Sequence, residues 1–361
     1  MLVSMRRVSG SIRYTSSADF LYPATDIVAS NPFSNECLPK RHGGSAAVWG
    51  DIVDPAIHRV RNVRVVIPTL NAAKDWSRFA PALLAAVDPS QVLVLDSESD
   101  DGTQYLARQA GFKVRTVKRK GFSHGGTRQL AAEWFPNVEI LIYLTQDAVL
   151  ASPDAIFNLV RTLDDAKVGA VYGRQLPRPE ANEIEAHLRE FNYPAQSQKR
   201  SLDDRKQMGI RAAFFSNSFA AYKRSALIEV GGFPSQVILG EDTYVAGRML
   251  LMGYKVAYAA DACVYHSHDY SILEEFKRYF DIGVMHHRER WMLDEFGSAN
   301  GEGKRFVLEH VRYLWEKRPV LIPAALTRIG AKLIAYRLGR MEQSIPTLLK
   351  RLLSMHHCYW A

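Results

Sequence analysis

The sequence predicts an α/β fold built on a mainly parallel sheet. Short apolar runs of strand length recur between residues 63 and 144. Helix-periodic segments separate them, giving units of roughly 30 residues, the size of a βαβ crossover. The run Ile140-Leu141-Ile142-Tyr143-Leu144 is apolar throughout, as in a strand covered on both faces. It leads directly into Thr145-Gln146-Asp147-Ala148. Ligands of open α/β sheets bind beyond the carboxyl ends of the strands, so Asp147 is expected at a ligand crevice.

The elements follow in order. Val63-Arg64-Val65-Val66-Ile67 reads as the first strand, stopped by Pro68. A helix is expected from Trp76 to Val87, then a strand over Gln91 to Leu95 that ends in Asp96. Residues 103–110 read as a helix, Lys113 to Val117 as a strand, and Thr127 to Trp134 as a helix before the strand at Ile140. The second half is mixed. Strands at Val168 to Tyr172 and Phe219 to Tyr222 flank a helix from Glu183 to Phe191. A helix from Asp242 to Met252, a strand from Lys255 to Tyr258 and a helix from Glu274 to Glu289 follow. From about residue 304 the chain is helical and basic.

The organisation expected is a poorly ordered arm over 1–60, rich in Ser, Asn, Pro and Gly, a catalytic domain over 61–300, and a basic amphipathic helical tail over 301–361. The 361 residues suffice for a large core, and 47% hydrophobic residues is ordinary for a folded chain. Cys37, Cys263 and Cys358 lie far apart, in no metal or redox spacing, which points to a reducing compartment. The net charge of +8 resides entirely in residues 304–361; the first 303 residues balance to zero. No stretch approaches 18 uninterrupted apolar residues, so no membrane-spanning helix is expected, and the N-terminus lacks the apolar run of a secretory signal.

Three strand ends carry small polar residues and acids: Pro68, Thr69 and Asn71; Asp96, Ser97 and Asp100; and Gln146 with Asp147. Such residues suit a nucleotide, whose base is gripped by backbone groups and whose ribose hydroxyls donate to a carboxylate. Alone, Asp100-Asp101-Gly102 reads equally as a turn and helix cap.

Val66-Ile67-Pro68-Thr69-Leu70-Asn71 and Asp96-Ser97-Glu98-Ser99-Asp100-Asp101-Gly102-Thr103 resemble the opening strand and nucleotide-contacting turn of the family-2 glycosyltransferases, which have the GT-A fold. Phe122-Ser123-His124-Gly125-Gly126-Thr127-Arg128-Gln129-Leu130-Ala131, Leu144-Thr145-Gln146-Asp147-Ala148 and Tyr265-His266-Ser267-His268-Asp269-Tyr270-Ser271 resemble that family's bacterial rhamnosyltransferase branch. The resemblance covers about residues 63 to 290. It implies a mixed, mainly parallel sheet flanked by helices, with the basic helical region appended.

A nucleotide-sugar donor leaves as a diphosphate, and its departure needs electrophilic help from a divalent metal, arginine or backbone N–H groups. Gly125-Gly126 before a helix suits close approach of backbone to phosphate, with Arg128 in the first turn; a glycine turn with a solvated basic run is the alternative. His124 reads as a phosphate or sugar ligand, or as a structural histidine. The family places two acids at the end of the strand before Asp147. Gln146 occupies one of those places, so Asp147 is the expected carboxylate for Mg²⁺ or Mn²⁺. His266 and His268, two apart, share one strand face, and His266 is the first choice as a metal ligand. Gly240-Glu241-Asp242 resembles the family's Glu-Asp motif, with Asp242 as the base that takes the acceptor proton. Acids there also cap a helix. Arg248 lies nearly two turns on, as a residue that orients the acids or binds phosphate. Phe214, Phe215 and Trp291 read first as core.

Residues 319–340 alternate apolar and basic positions, with Leu326, Ile329, Leu333 and Tyr336 on one face and Arg328, Lys332, Arg337 and Arg340 carrying charge. Such a helix suits an anionic membrane interface. No nucleic-acid motif accompanies the charge. The resemblance thus implies inverting transfer of L-rhamnose from dTDP-β-L-rhamnose to a sugar hydroxyl of a lipid-linked or growing cell-surface polysaccharide. The expected location is cytoplasmic, peripheral on the inner face of the membrane.

Overall fold

A nine-stranded mixed sheet organises the computed structural model, which describes residues 62–360 except Gly121 and Asn300. The expected arm at 1–60 lies outside the described residues. The strands are β1 (Val63–Thr69), β2 (Val92–Asp96), β3 (Lys113–Thr116), β4 (Ile140–Leu144), β5 (Val149–Leu150), β6 (Val168–Leu176), β7 (Gln198–Arg200), β8 (Phe219–Lys223) and β9 (Lys255–Tyr265). Their order is β3-β2-β1-β4-β8-β6-β9-β5, with β7 beside β9. β1 pairs in parallel with β2 and β4, and β2 with β3. β8 is inserted antiparallel between β4 and β6.

The helices are α1 (Trp76–Leu84), α2 (Thr103–Gln109), α3 (His124–Trp134), α4 (Ala155–Arg161), α5 (Glu183–Asn192), α6 (Arg205–Met208) and α7 (Arg224–Glu229). Then come α8 (Glu241–Leu251), α9 (Ile272–Arg288), α10 (Arg290–Phe296), α11 (Glu302–Lys317), α12 (Ile322–Arg340) and α13 (Thr347–Leu353).

Alternation along the strands builds two cores, one on each face of the sheet. Val65, Ile67, Val92, Val94, Ile142 and Leu144 join Phe79 and Leu83 on one face. Val66, Leu93, Leu95, Leu141 and Tyr143 join Ala131, Tyr222 and Val245 on the other. β4 is therefore covered on both faces, as its apolar run predicts.

Several boundaries differ from the sequence expectation, three of them near the site. β1 continues through Pro68 to Thr69; its pairing with β4 stops at Val66↔Tyr143, so Pro68 has no ladder bond to lose on that side. α3 starts at His124, because Ser123 caps it by accepting from Gly126 N–H at 3.1 Å. β9 runs on to Tyr265 through a register shift that moves the partner of Gly173, Ala259, to Cys263 for Arg174. Exposed Asp261 lies in that bulge and ion-pairs with Arg161, which breaks the apolar pattern in the sequence.

The C-terminal helices dock on α9. α12 crosses α9 at Gly283 and Gly339, where a Cβ on Gly339 would stand 2.0 Å from Phe280 O and one on Gly283 2.3 Å from Tyr336 O. Lys332 is buried and pairs with Glu275 at 2.9 Å, and Arg328 reaches the same carboxylate at 3.1 Å. This corrects the expected charged face: Lys332 is packed inward, whereas Leu326 and Ile334 are exposed. The segment Pro319–Arg340 is long and apolar enough to cross a membrane by length and composition, although basic residues interrupt its apolar run. In this structure its basic and small residues meet α9. The last residues are anchored too. Glu342 accepts from Arg288 at 3.0 Å and pairs with Lys350 at 2.5 Å, and both cations lie over the Trp360 ring at 5.0 Å.

Candidate active site

At the ends of β1 and β2, side chains organise backbone. Asp96 is fully buried; it accepts from Thr69 Oγ1 at 3.1 Å, Ser99 N–H at 2.9 Å and Gln104 Nε2 at 2.7 Å. These three donors fix the Asp96 carboxylate within the turn. Ser97 is buried beside it. Asn71, at φ 52°, donates its N–H to Ser99 Oγ and accepts from Asp100 N–H. Pro68 is half-buried, and Asn71 and Asp100 are exposed, so these three line the free surface. Gln146 explains its own departure from an acid. Its Oε1 accepts from Leu70 N–H at 2.8 Å and its Nε2 donates to Leu70 O at 3.0 Å. A carboxylate makes the first bond but not the second.

Asp147, His266 and His268 converge, with ligand atoms all within 4.8 Å of one another. His266 Nε2 is 3.2 Å and His268 Nδ1 3.5 Å from Asp147 Oδ2. His266 was legible as a candidate; that His268 joins it was open, and the alternation His-x-His was the signal. The residue missed is Gln175. Its Nε2 donates to Ser216 Oγ at 2.9 Å, which leaves Oε1 to accept from Arg189 at 2.7 Å and from His266 Nδ1 at 2.8 Å. The ring proton of neutral His266 therefore sits on Nδ1, and the Nε2 lone pair faces the Asp147 carboxylate. A lone pair and an anion at that distance repel unless a cation lies between them. Burial lowers the His266 pKa, which opposes supplying that cation as imidazolium. The donor set is one carboxylate oxygen and two imidazole nitrogens, which suits a divalent transition metal.

A second cluster forms where α3 meets α8. Glu241 and Asp242 open α8 after Gly240, at φ 76°. Glu241 is buried, pairs with Arg128 at 3.0 Å and accepts from Asn217 Nδ2 at 3.0 Å. Arg128, also buried, donates to His124 O at 3.1 Å. Its charge is paired with Glu241 rather than left open. At Gly125 a Cβ would stand 1.9 Å from Pro234 O, so helix–loop packing requires a glycine there. Asp242 is half-buried; Oδ2 accepts from Asn217 N–H at 3.0 Å and Oδ1 from Thr243 N–H at 2.8 Å. Burial, then the charge of Glu241, pushes its pKa up to about 6. Burial raises the Glu241 carboxyl, and Arg128 and His124 more than reverse that. Two adjacent carboxylates thus have opposite proton affinities.

A cavity of ≈ 510 Å³ joins the two clusters, touching His124, Glu241, Asp242, His266 and His268. Its far wall comes from α5, α9, α11 and α12, and from Met355 and His356 near the C-terminus. Arg248 is exposed and outside this lining, which corrects its expected contact with acids or phosphate. Phe215 is core, Phe214 borders the cavity, and Trp291 packs edge-on against Tyr244.

A family model for Glycosyl transferase family 2 matches residues 64–231. A relative from Salmonella typhimurium, the O-antigen chain rhamnosyltransferase RfbN, is 44% identical over 300 residues, covering 82% of this chain and 96% of the relative. The O-antigen chain rhamnosyltransferase WbaN from Salmonella anatum is 40% identical over 298 residues, covering 82% and 95%. The chain belongs to glycosyl transferase family 2. It is a glycosyltransferase, and transfer in this family inverts the anomeric configuration. The mannosyltransferase PcManGT from Pyrobaculum calidifontis shares the fold, with a TM-score of 0.55 at 20% identity over 79% of this chain and 88% of that one. The GT-A architecture implied by the family resemblance is the one observed.

In this family-2 transferase the Arg128–Glu241 pair makes a sharp prediction. Arg128→Met leaves a buried carboxylate unpaired and destabilises the fold by about 3–5 kcal/mol in urea denaturation. Adding Glu241→Gln restores most of that. An Arg128→Met variant as stable as wild type would return the arginine to a substrate role.

Proposed function

We propose that this transferase moves L-rhamnose from dTDP-β-L-rhamnose to a sugar hydroxyl of a lipid-linked or growing cell-surface glycan, of the O-antigen kind. The observation that carries the sugar and the acceptor class is the 44% identity, along 96% of its length, to a relative named for that transfer. In this reading Asp242 is the base. Its oxygens are held by two backbone N–H groups, it faces the cavity, and its raised proton affinity suits accepting the acceptor hydroxyl proton as that oxygen attacks the anomeric carbon. The donor diphosphate leaves on the opposite face, toward Asp147. Asn71, Pro68 and Asp100 are the surface that takes the nucleoside.

Turnover of a nucleotide-sugar panel tests the donor: dTDP-rhamnose is consumed and UDP-hexoses are not, and the reverse result refutes the reading. Asp242→Asn lowers kcat by about 10²–10⁴-fold with the fold intact. Because Asp242 must be ionised to act, and its pKa lies near 6, kcat/KM falls as pH drops through that value. A flat profile between pH 5 and about 7 would remove Asp242 as base.

Asp147, His266 and His268 would hold a divalent cation, and the imidazole pair favours Mn²⁺ over Mg²⁺. When bound, the ion neutralises charge on the departing diphosphate. Gln175 keeps His266 in the tautomer that leaves Nε2 available. Calorimetry is expected to show Mn²⁺ binding to the free protein that Asp147→Ala or the double change His266→Ala/His268→Ala abolishes. Unaltered binding in either variant would locate the ion elsewhere.

The helical tail supports peripheral attachment to the inner face of the membrane. Leu308, Trp315, Val320, Leu348 and Leu352 are each more than 60% exposed, on a region carrying the whole net charge of +8. Apolar side chains beside lysine and arginine suit an anionic interface. Cosedimentation with anionic vesicles is expected to weaken for Trp315→Ala/Val320→Ser. Equal sedimentation with neutral and anionic vesicles, or none, would overturn it.

A further inference from the structure

The cavity beside Asp242 is lined by four cationic side chains from α5, α9 and α12, and three have partners. Arg189 donates to Gln175, while Arg328 and Lys332 pair with Glu275. Arg278, on α9, makes no hydrogen bond or ion pair with a described residue. It is exposed and lines the cavity together with His124, His268 and His356, and the Asp281 carboxyl one turn on also feels its charge.

His356 is brought there by a built contact. Asp281, one turn beyond Arg278 and fully buried, accepts from Met355 N–H at 2.9 Å. Ser354, also fully buried, accepts from His356 N–H at 2.9 Å. This turn sets the His356 ring edge-on against His124, with centroids 5.1 Å apart. Burial keeps both rings neutral, down to about 3 for His356 and about 4 for His124, so each offers one N–H donor and adds no competing charge. A free guanidinium flanked by neutral imidazole donors matches a phosphate oxyanion. The wall beside it is apolar, with Ile184, Leu188, Tyr279 and Phe306.

We propose that Arg278 and His356, with His124, form a subsite for a phosphate group carried by a substrate, and that the C-terminal turn thereby belongs to the active site. The proposal rests on the transferase reading of this cavity. Two substrates can bring that phosphate, the donor through its diphosphate or an acceptor whose sugar is linked to a lipid phosphate.

The full chain is assayed with dTDP-rhamnose and a matched pair of acceptors, one with and one without the phosphate-linked lipid. Arg278→Gln is expected to raise one substrate KM about 10- to 100-fold, the scale of a charge-assisted hydrogen bond, with an unchanged melting temperature. Arg278→Lys retains some of the affinity. His356→Ala has a smaller effect of about 2- to 10-fold on the same KM. If the acceptor supplies the phosphate, wild type prefers the phosphorylated acceptor, Arg278→Gln abolishes the preference, and inhibition by dTDP is unaltered. If the donor supplies it, donor KM and dTDP inhibition weaken together, with equal loss on both acceptors. Unchanged KM for both substrates in Arg278→Gln and His356→Ala refutes the subsite. Absence of rhamnose transfer by wild type is instead a failure of the transferase reading.

Discussion

The reacting end of this enzyme depends on the buried ion pair between Arg128 and Glu241. It joins α3 to α8 at 3.0 Å, and each partner would be costly to bury without the other. Around it the neighbouring choices become intelligible. Gly125 leaves room for Pro234 O, Asn217 satisfies Glu241 while its own amide oxygen accepts from Tyr222 OH, and Tyr143 OH donates to Arg128 O. The pair also keeps Glu241 ionised, and that fixed negative charge helps hold the proton affinity of Asp242 up. A packing contact and the raised proton affinity of Asp242 are here set by the same interaction.

Four carboxylates near the strand ends do four different things, and their surroundings decide which. Asp96 takes three protein donors and holds the turn after β2 against the end of β1. Glu241 is neutralised by arginine. Asp242 is stabilised only by backbone N–H groups, so burial and its neighbour can raise it. Asp147 faces two imidazoles, one of which presents a lone pair that asks for a cation. Environments that push like groups apart are what assign acid, base and ligand roles.

The parallel strands, Asp147 and the Glu241-Asp242 pair were legible because their signals are local: an apolar run ending in an acid, or acids opening a helix. His266 and His268 were visible as an alternating pair for the same reason. Arg128 and Gly125 are ambiguous because a glycine-rich helix start suits an anion and a tight helix–loop contact equally well in sequence. Lys332 follows the helical period, but the period does not say that Glu275 waits on the opposing helix. Gln175, Asn217, Asp281 and His356 carry no local signal. Gln175 meets His266 across 91 residues and Asp281 meets Met355 across 74, so only the folded chain brings them together.

Those long-range contacts concentrate on α9, which makes this helix the coupler between tail and site. Glu275 holds α12 through Lys332 and Arg328, Asp281 holds the C-terminal turn, Gly283 takes the α12 crossing, and Arg288 binds Glu342 and lies over Trp360. Arg278 on the same helix faces the cavity. Moving the tail relative to α9 would therefore break a buried ion pair and pull Gly283 away from Gly339, where the two backbones touch; neither contact yields gradually. The tail and the far wall of the cavity behave as one body. In the membrane reading proposed above, whatever orients the basic helices at a lipid surface also orients the wall against which the acceptor would lie.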